Sequence, residues 1–391
     1  MASSNTECLT FLTDLYLKQD VIAQPYSYVG LSDDSNNNLI GRTSKLSSKN
    51  GIYSFTYVPD YVKTVISDSK KWTERIFSSV NGYSILINDF SCVEDYLRAH
   101  LKSRRKTINR AIRRLETCFD ISYKMYQKEI TNEEYLFLMS RLKAMIIKRF
   151  EQRGQESENI ASWDKVLSSS FELMKQGKAS IFVIYDRSEP IEISFNYNYD
   201  TILFSYISSY DIDYAKFSLG QVEIYKQLEW CINNGYQRFE MGWGDMGYKR
   251  QWSNGKYQFH HHILYPKYSI VGYLYANFKG NRSSILAFLI SKGVNTHWNN
   301  LKKKLKKEPE TVRLDSTYTF EKITIPLEET LEQIDLGQKN LAITKQIIND
   351  FLFLTQECSD DVSLYHSSSK DLYVLKGKKA QRAVLINPVN K

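Results

Sequence analysis

At 391 residues the chain is long enough for two or three domains, each with its own core. Aromatic content of 14% beside 25% charged residues excludes a disordered or fibrous chain, and a net charge of +8 favours an anionic ligand without requiring nucleic acid. Five scattered cysteines without a CxxC argue against a disulfide framework or zinc module, and the longest apolar runs, such as 285–290, are too short to span a bilayer, so a cytoplasmic protein with no integral membrane segment is expected.

Residues 1–120 alternate short strands (52–58 and 83–88) with helices and end in a long basic helix, 97–116. Its apolar face carries Leu97, Leu101, Ile108, Ile112 and Leu115, while Arg98, Lys102, Arg104, Arg105, Lys106, Arg110, Arg113 and Arg114 cover the rest. Such a stripe is either a solvated face or a grip for phosphates. The tract 32–50 is a Ser/Asn-rich loop.

From Ile121 the order is legible. A strand, 121–127, is followed by a helix that Thr131 and Glu134 open as a capping box, then by a second helix, 162–176, closed near Gly177. Three antiparallel strands come next, 180–185, 191–197 and 202–208, separated by Asp186–Pro190 and by Tyr199-Asp200. A polar loop, 211–220, leads to a helix, 219–233, closed by Asn233-Asn234-Gly235. Strand 236–241 breaks at Gly242, Gly244 and Gly247 before Tyr248-Lys249, and strand 257–264 follows. Residues 269–307 read as a pair of helices ending in the basic LKKKLKK, and a charged stretch, 306–313, leads to a helix near 341–356 and strands at 371–376 and 383–387. This is an α/β (α+β) chain with a mixed central sheet flanked by helices and a small C-terminal α+β extension.

A strand that delivers a loop to a helix N-terminus makes an anion site, because first-turn N–H groups lack helical partners. The loop ending at Ser218-Leu219-Gly220 therefore points to a phosphorylated ligand, with Lys216 adding charge, though a single glycine also fits an ordinary strand-to-helix loop. Tyr248 and Lys249 fall where side chains reach the cleft mouth: Tyr248 as a proton donor to a leaving group, Lys249 as a contact to substrate anion. Asp211, Glu192, Glu240 and Asp245 are the acids on or beside the strands, and Asp245 with Asp211, both at strand exits, is the preferred pair for taking a proton from an amine. His260 and His262 share a strand face without further ligands at metal spacing, so no metal is expected.

With its Tyr210-Asp211, Ser218-Leu219-Gly220 and Tyr248-Lys249 pairs and the basic SRRKTINRAIRRLE helix, the stretch of roughly 90–265 resembles the GNAT acyltransferase superfamily. Within it the match is to the CelD-like branch, related to the Fem-type peptidoglycan aminoacyltransferases. The resemblance implies tandem GNAT-like domains, an N-terminal half at 1–120 and an acyltransferase domain with trailing helices at 121–308, with the extension at 309–391. It implies an acyl-CoA donor with its pyrophosphate on the amides of Ser218, Leu219, Gly220 and Gln221. The pantetheine arm would lie along the strand ending at Ser208, in a splay beside strand 236–241. The acceptor would be an amine, on an amino sugar or cell-envelope precursor in polysaccharide biosynthesis. Arg104 and Arg105 would then bind an anionic acceptor. Aminoacyl-tRNA as donor, or a non-catalytic module binding nucleic acid or another polyanion, are the competing readings.

Overall fold

The computed structural model describes residues 7–10, 21–22, 25–31, 42–43, 51–154, 160, 163–291, 318–323, 332–334, 343–367 and 372–386. The basic run 301–307, the stretch 306–313 and most of the loop 32–50 lie outside the described residues. The first half holds β1 (Glu7–Thr10), β2 (Val21–Ile22), β3 (Tyr26–Leu31), β4 (Arg42–Thr43), β5 (Tyr53–Pro59), β6 (Val62–Ile66), β7 (Trp72–Leu86), α1 (Val93–His100) and α2 (Lys102–Cys118). Then come β8 (Ile121–Tyr126), α3 (Asn132–Glu151), α4 (Trp163–Lys175), β9 (Ala179–Asp186), β10 (Glu189–Tyr199) and β11 (Ile202–Tyr210). A 3-10 turn, Ile212–Phe217, leads into α5 (Leu219–Asn233), β12 (Arg238–Trp243), α6 (Gly247–Trp252), β13 (Gly255–Pro266) and α7 (Ile270–Ser291). The remainder is β14 (Tyr318–Lys322), β15 (Glu332–Ile334), α8 (Lys345–Thr355), β16 (Ser363–Ser367), β17 (Leu372–Lys376) and β18 (Gln381–Ile386).

Nine strands form one mixed sheet in the order β1-β5-β13-β7-β12-β11-β10-β9-β8. β8 to β11 are antiparallel neighbours, β12 runs parallel to β11, and β12 pairs antiparallel with β7. The long β7, from before residue 120, thus lies between two strands from after it, β12 on one edge and β13 on the other. The second sheet, β14-β18-β17-β16-β15, belongs to the C-terminal extension.

The central strands are buried on both faces, and helices cover each. On one face Thr131 caps α3 by accepting the Glu134 N–H at 3.1 Å. The helix then buries Tyr135, Leu138, Leu142 and Met145 with α4 against Val183, Ile193 and Phe195. On the other face α2, α5 and α8 close over Phe182, Ile184 and Ile191. The basic helix expected at 97–116 is two helices. Leu101, at φ −125°, leaves helical geometry and is buried in the core under α1 and α5. Glu94 ties the corner, accepting from Arg105 at 2.6 Å and Asn109 at 2.8 Å.

Removing buried methylenes leaves a cavity that the packed layer fills only partly. Leu142→Ala, at a fully buried α3 position, is expected to cost about 2–5 kcal/mol of unfolding free energy in chemical denaturation.

Candidate active site

β11 and β12 pair at three positions only, Ile202 with Arg238, Leu203 with Phe239 and Phe204 with Glu240. β11 runs on to Tyr210, whereas β12 stays on β7, with which it pairs from Arg238 and, after a register shift, at Trp243 with Gly82. Gly242 lies at that shift. Its φ of +70° lies in the region that glycine tolerates, and a Cβ there would meet the Phe204 ring at 3.0 Å. Glu240 holds the bend, accepting the Gly242 N–H at 2.7 Å, the Tyr257 hydroxyl at 2.6 Å and the Tyr61 hydroxyl at 3.0 Å. The strands therefore part beyond Phe204.

At the open end of β11 the chain turns through 212–217 into α5. Ser218, the residue before the helix, takes a left-handed conformation, φ 59° and ψ 40°, and its side chain makes no capping bond. Gln221 and Val222 N–H return to the Ser218 carbonyl, while Leu219 and Gly220 N–H find no backbone acceptor among the described residues. No atom lies within 4 Å of a Cβ built on Gly220, so the side of the helix start at Gly220 is open.

The inner face of α5 meets a polar ladder on β10. Along β10, Ile193, Phe195 and Tyr197 face α3, so Glu192, Ser194 and Asn196 face α5, all fully buried. Asn196 donates to Gln227 at 2.8 Å, and Gln227 donates to Glu223 at 2.9 Å. Ser208, opposite Ser194 across the β10–β11 ladder, holds its hydroxyl against the Glu223 carboxylate. The Ser194 hydroxyl is also adjacent to that carboxylate, with a second acceptor in Asn196 Oδ1 at 3.1 Å.

Burial pushes Glu223 up to about 7, against the lowering effect of Ser194, Ser208, the Arg149 guanidinium and Gln227. Burial first, and the Glu223 charge second, push Glu192 well above the carboxylate range. Neither Glu192 oxygen has a hydrogen-bond partner among the described residues. Two acids this close titrate as a pair: Glu223, with its donors, ionises first while Glu192 keeps its proton.

Of the residues expected from sequence, Glu192, Ser208 and Tyr248 join this cluster. Tyr248, on α6 and 40% exposed, is pushed up to about 12 by its partial burial and then by the Glu223 charge, with Arg149 opposing. Arg149 closes the cluster from α3, stacked over Tyr210 at 4.6 Å. Gln221 accepts from the Trp252 indole at 2.9 Å, and Leu219 is buried in the core beneath the loop.

The other expected residues are engaged elsewhere. Asp245 accepts from the Tyr83 hydroxyl at 2.5 Å and pairs with Arg250 at 2.9 Å, on the β7 side. Asp211 caps the 3-10 turn, accepting the Asp213 N–H at 3.2 Å, and pairs with Lys148 at 3.4 Å and Lys345 at 3.7 Å. Lys249 is buried and donates to the Trp243 carbonyl at 2.6 Å; burial lowers it to about 8 despite Glu240. Arg104 is exposed and Arg105 pairs with Glu94, both in the first turn of α2. Among the three neighbouring histidines, His261 meets Ser54 at 2.7 Å and His262 meets Glu74 at 2.9 Å, and no cluster with metal-holding geometry occurs among the described residues. Glu223 was missed. Its signal was a polar pair four apart, Glu223 and Gln227, on the helix face opposite a strand carrying a polar residue at every second position.

The extension packs on the loop that opens α5. Lys216 pairs at 2.7 Å with Asp350, a buried α8 carboxylate that also accepts from Tyr318. Asn349 donates to the Asp213 carbonyl at 3.0 Å, and Phe351 shares a core with Tyr214, Phe217 and Leu219. Lys216 therefore tethers the loop and spends part of its charge on Asp350. Asp350→Ala is expected to speed amide hydrogen exchange in 212–217 while leaving α3 protection unchanged, because the contacts cut, to Lys216 and Tyr318, lie on the loop and the extension and not on α3.

No curated protein matches the chain. Among solved structures, a conserved protein of unknown function from Bacteroides thetaiotaomicron is similar at 11% identity over 55% of this chain and 69% of that one, with a TM-score of 0.37. L-PGS from Bacillus licheniformis is similar at 13% identity over 62% and 73%, with a TM-score of 0.36. FemX is similar at 8% identity over 54% and 72%, with a TM-score of 0.37. Among the described residues, no helix is long and apolar enough to cross a membrane. Residues 102–250, which hold the parted strands, the opening of α5 and Tyr248, match the model of the family described as the acetyltransferase (GNAT) domain.

Proposed function

We propose that the protein is an N-acyltransferase of the CelD-like kind, moving an acyl group from acyl-CoA to an amine on an amino sugar or cell-envelope precursor. The observation that carries this reading is the parting of β11 from β12 directly beside the free first-turn amides of α5. Acyl-CoA supplies an activated thioester. Its diphosphate suits the Leu219 and Gly220 N–H groups beside the open side of the helix start at Gly220, and its narrow arm suits the gap past Phe204. Lys216, held by Asp350, adds only part of its charge there.

The amine must lose a proton as its nitrogen bonds to the thioester carbon. Glu223, near 7, is poised to take it and later to release it to solvent. Glu192, kept protonated by burial and by Glu223, limits the pair to one charge, so the base is not over-stabilised. N–H groups on the free edge of β11 are positioned to meet charge developing on the carbonyl oxygen. Tyr248, neutral at pH 7, gives its proton to the sulfur as the carbon–sulfur bond breaks, and regains one from solvent. Arg149 steadies Glu223 once ionised. Asp245 and Asp211 are structural in this scheme.

A second reading has its own observation. Lys102, Arg104, Lys106, Arg110 and Arg113 are exposed along α2, which suits a polyanion such as tRNA carrying an aminoacyl donor, or nucleic acid bound without catalysis. Calorimetric titration separates these: saturable coenzyme A binding favours the first, and salt-dependent RNA binding without coenzyme A binding favours the second.

With acetyl-CoA and an amine acceptor, Glu223→Gln is expected to lower kcat by about 10²–10⁴-fold with little change in coenzyme A affinity. In the parent protein kcat/KM rises with pH through about 7 as Glu223 loses its proton, and Glu223→Gln removes that limb. The same elevation makes the fold lose stability as pH rises from the ordinary carboxylate range to about 7, since only the folded state still binds the proton there. An unchanged pH limb in the Gln variant would assign the base elsewhere.

A further inference from the structure

The helix α7 lies on the outer face of β7 and β13 through a stripe of small residues. Gly272, Ala276 and Gly280 recur every fourth position, with Gly272 against the Tyr265 ring, Gly280 against Phe77, and Ala276 fully buried. The contact is fixed by Arg75, which donates to Asn277 at 2.6 Å, and by Ser284, which donates to the Ser78 carbonyl at 2.9 Å. This docking leaves the opposite side of the helix facing outward, and apart from Asn281 that side is apolar. Ile270, Val271, Leu274, Phe278 and Ile285 are 59–76% exposed. At 3.6 residues per turn they fall within about 100° of one another, a single apolar stripe.

A contiguous apolar face of this size on a folded protein marks a contact with something else. The charge around it identifies the partner. No Asp or Glu occurs anywhere from residue 246 to residue 307; Arg282 borders the stripe, Lys267 lies just before the helix, and Lys279 lies further round, toward His261. Apposing this face to a second copy of itself would bring those cations together with no acid on the face to offset them. An anionic bilayer surface offers both an apolar layer for the stripe and negative headgroups for its flanks. The helix cannot instead cross the bilayer, because its small-residue side is docked on the sheet and it lacks the apolar length required.

We propose that α7 is a peripheral membrane-binding element that lies flat on an anionic lipid surface with Val271, Leu274 and Phe278 inserted at the headgroup boundary. The proposal does not depend on the transfer reaction, so either can fail alone. The test is flotation of the full chain with vesicles of phosphatidylcholine plus phosphatidylglycerol against vesicles of phosphatidylcholine alone. The expected result is binding to the anionic vesicles, weakened by salt, and reduced about tenfold or more in Leu274→Asp/Phe278→Asp. A thermal melt matching the parent shows that the variant is folded, which the exposure of both side chains predicts. If that variant does not fold, Lys279→Glu/Arg282→Glu serves instead and is expected to weaken anionic binding without changing the neutral-vesicle control. Three results would overturn the proposal: no vesicle binding by the parent, binding unchanged in the folded variants, or a concentration-dependent dimer by sedimentation that Leu274→Asp/Phe278→Asp abolishes, which would assign the face to a second copy.

Discussion

The divergence of two parallel strands is the constraint on which the site depends. A parallel pair satisfies its backbone groups by staying paired, so β12 can leave β11 only if another strand accepts it and its residues tolerate the bend. β7, paired with β12 from Arg238 onward, holds it, Gly242 supplies the left-handed backbone, and Glu240 pins the turn through three hydrogen bonds. Glu240 is buried and its carboxyl is raised by that burial, so its three donors are what make the position tenable. The aromatic wealth of the chain has a use here, since two of those donors are tyrosine hydroxyls reaching in from β13 and from the β5–β6 turn.

The chemistry follows from the same layer. β10 is buried on both sides and yet polar at every second residue, which is stable only if the helix above it returns hydrogen bonds. α5 does so through Gln227, and the chain from Asn196 to Gln227 to Glu223 holds a carboxylate in one orientation. Fixing the proposed base in this way removes rotamer freedom before substrate arrives. The extension acts one step further out. By seating Asp350 against Lys216 and Asn349 against the Asp213 carbonyl, it holds the loop that sets the direction of the α5 amides.

Much of the second half was legible from local pattern. Thr131 and Glu134 announced α3, Gly177 its successor's end, and the three antiparallel strands were bounded by their turns, because capping, turn chemistry and period-two burial act over a few residues. The first half was not. β7 spans Trp72–Leu86, but only its last residues alternate enough to be read as a strand, and its insertion between β12 and β13 depends on partners more than 150 residues away. The bend at Leu101 was equally hidden, since the apolar spacing continues across it. At the site, the opening of α5 was readable from Ser218-Leu219-Gly220, and so was the position of Tyr248 just past the glycine break. Glu223 was not, because a glutamate between Val222 and Ile224 on a helix usually marks the water-facing side. Asp211 and Asp245 drew attention as acids at strand exits, yet such positions are also where a carboxylate caps a turn or pairs with a nearby cation, and both do.

A structure determined with coenzyme A bound tests the central claim most directly. The account predicts diphosphate oxygens within hydrogen-bonding distance of the Leu219 and Gly220 nitrogens, with the pantetheine arm running between β11 beyond Phe204 and β12 at Gly242, and its sulfur near Glu223 and Tyr248. Coenzyme A held elsewhere on the molecule, with the gap between those strands closed by their own side chains, would contradict it.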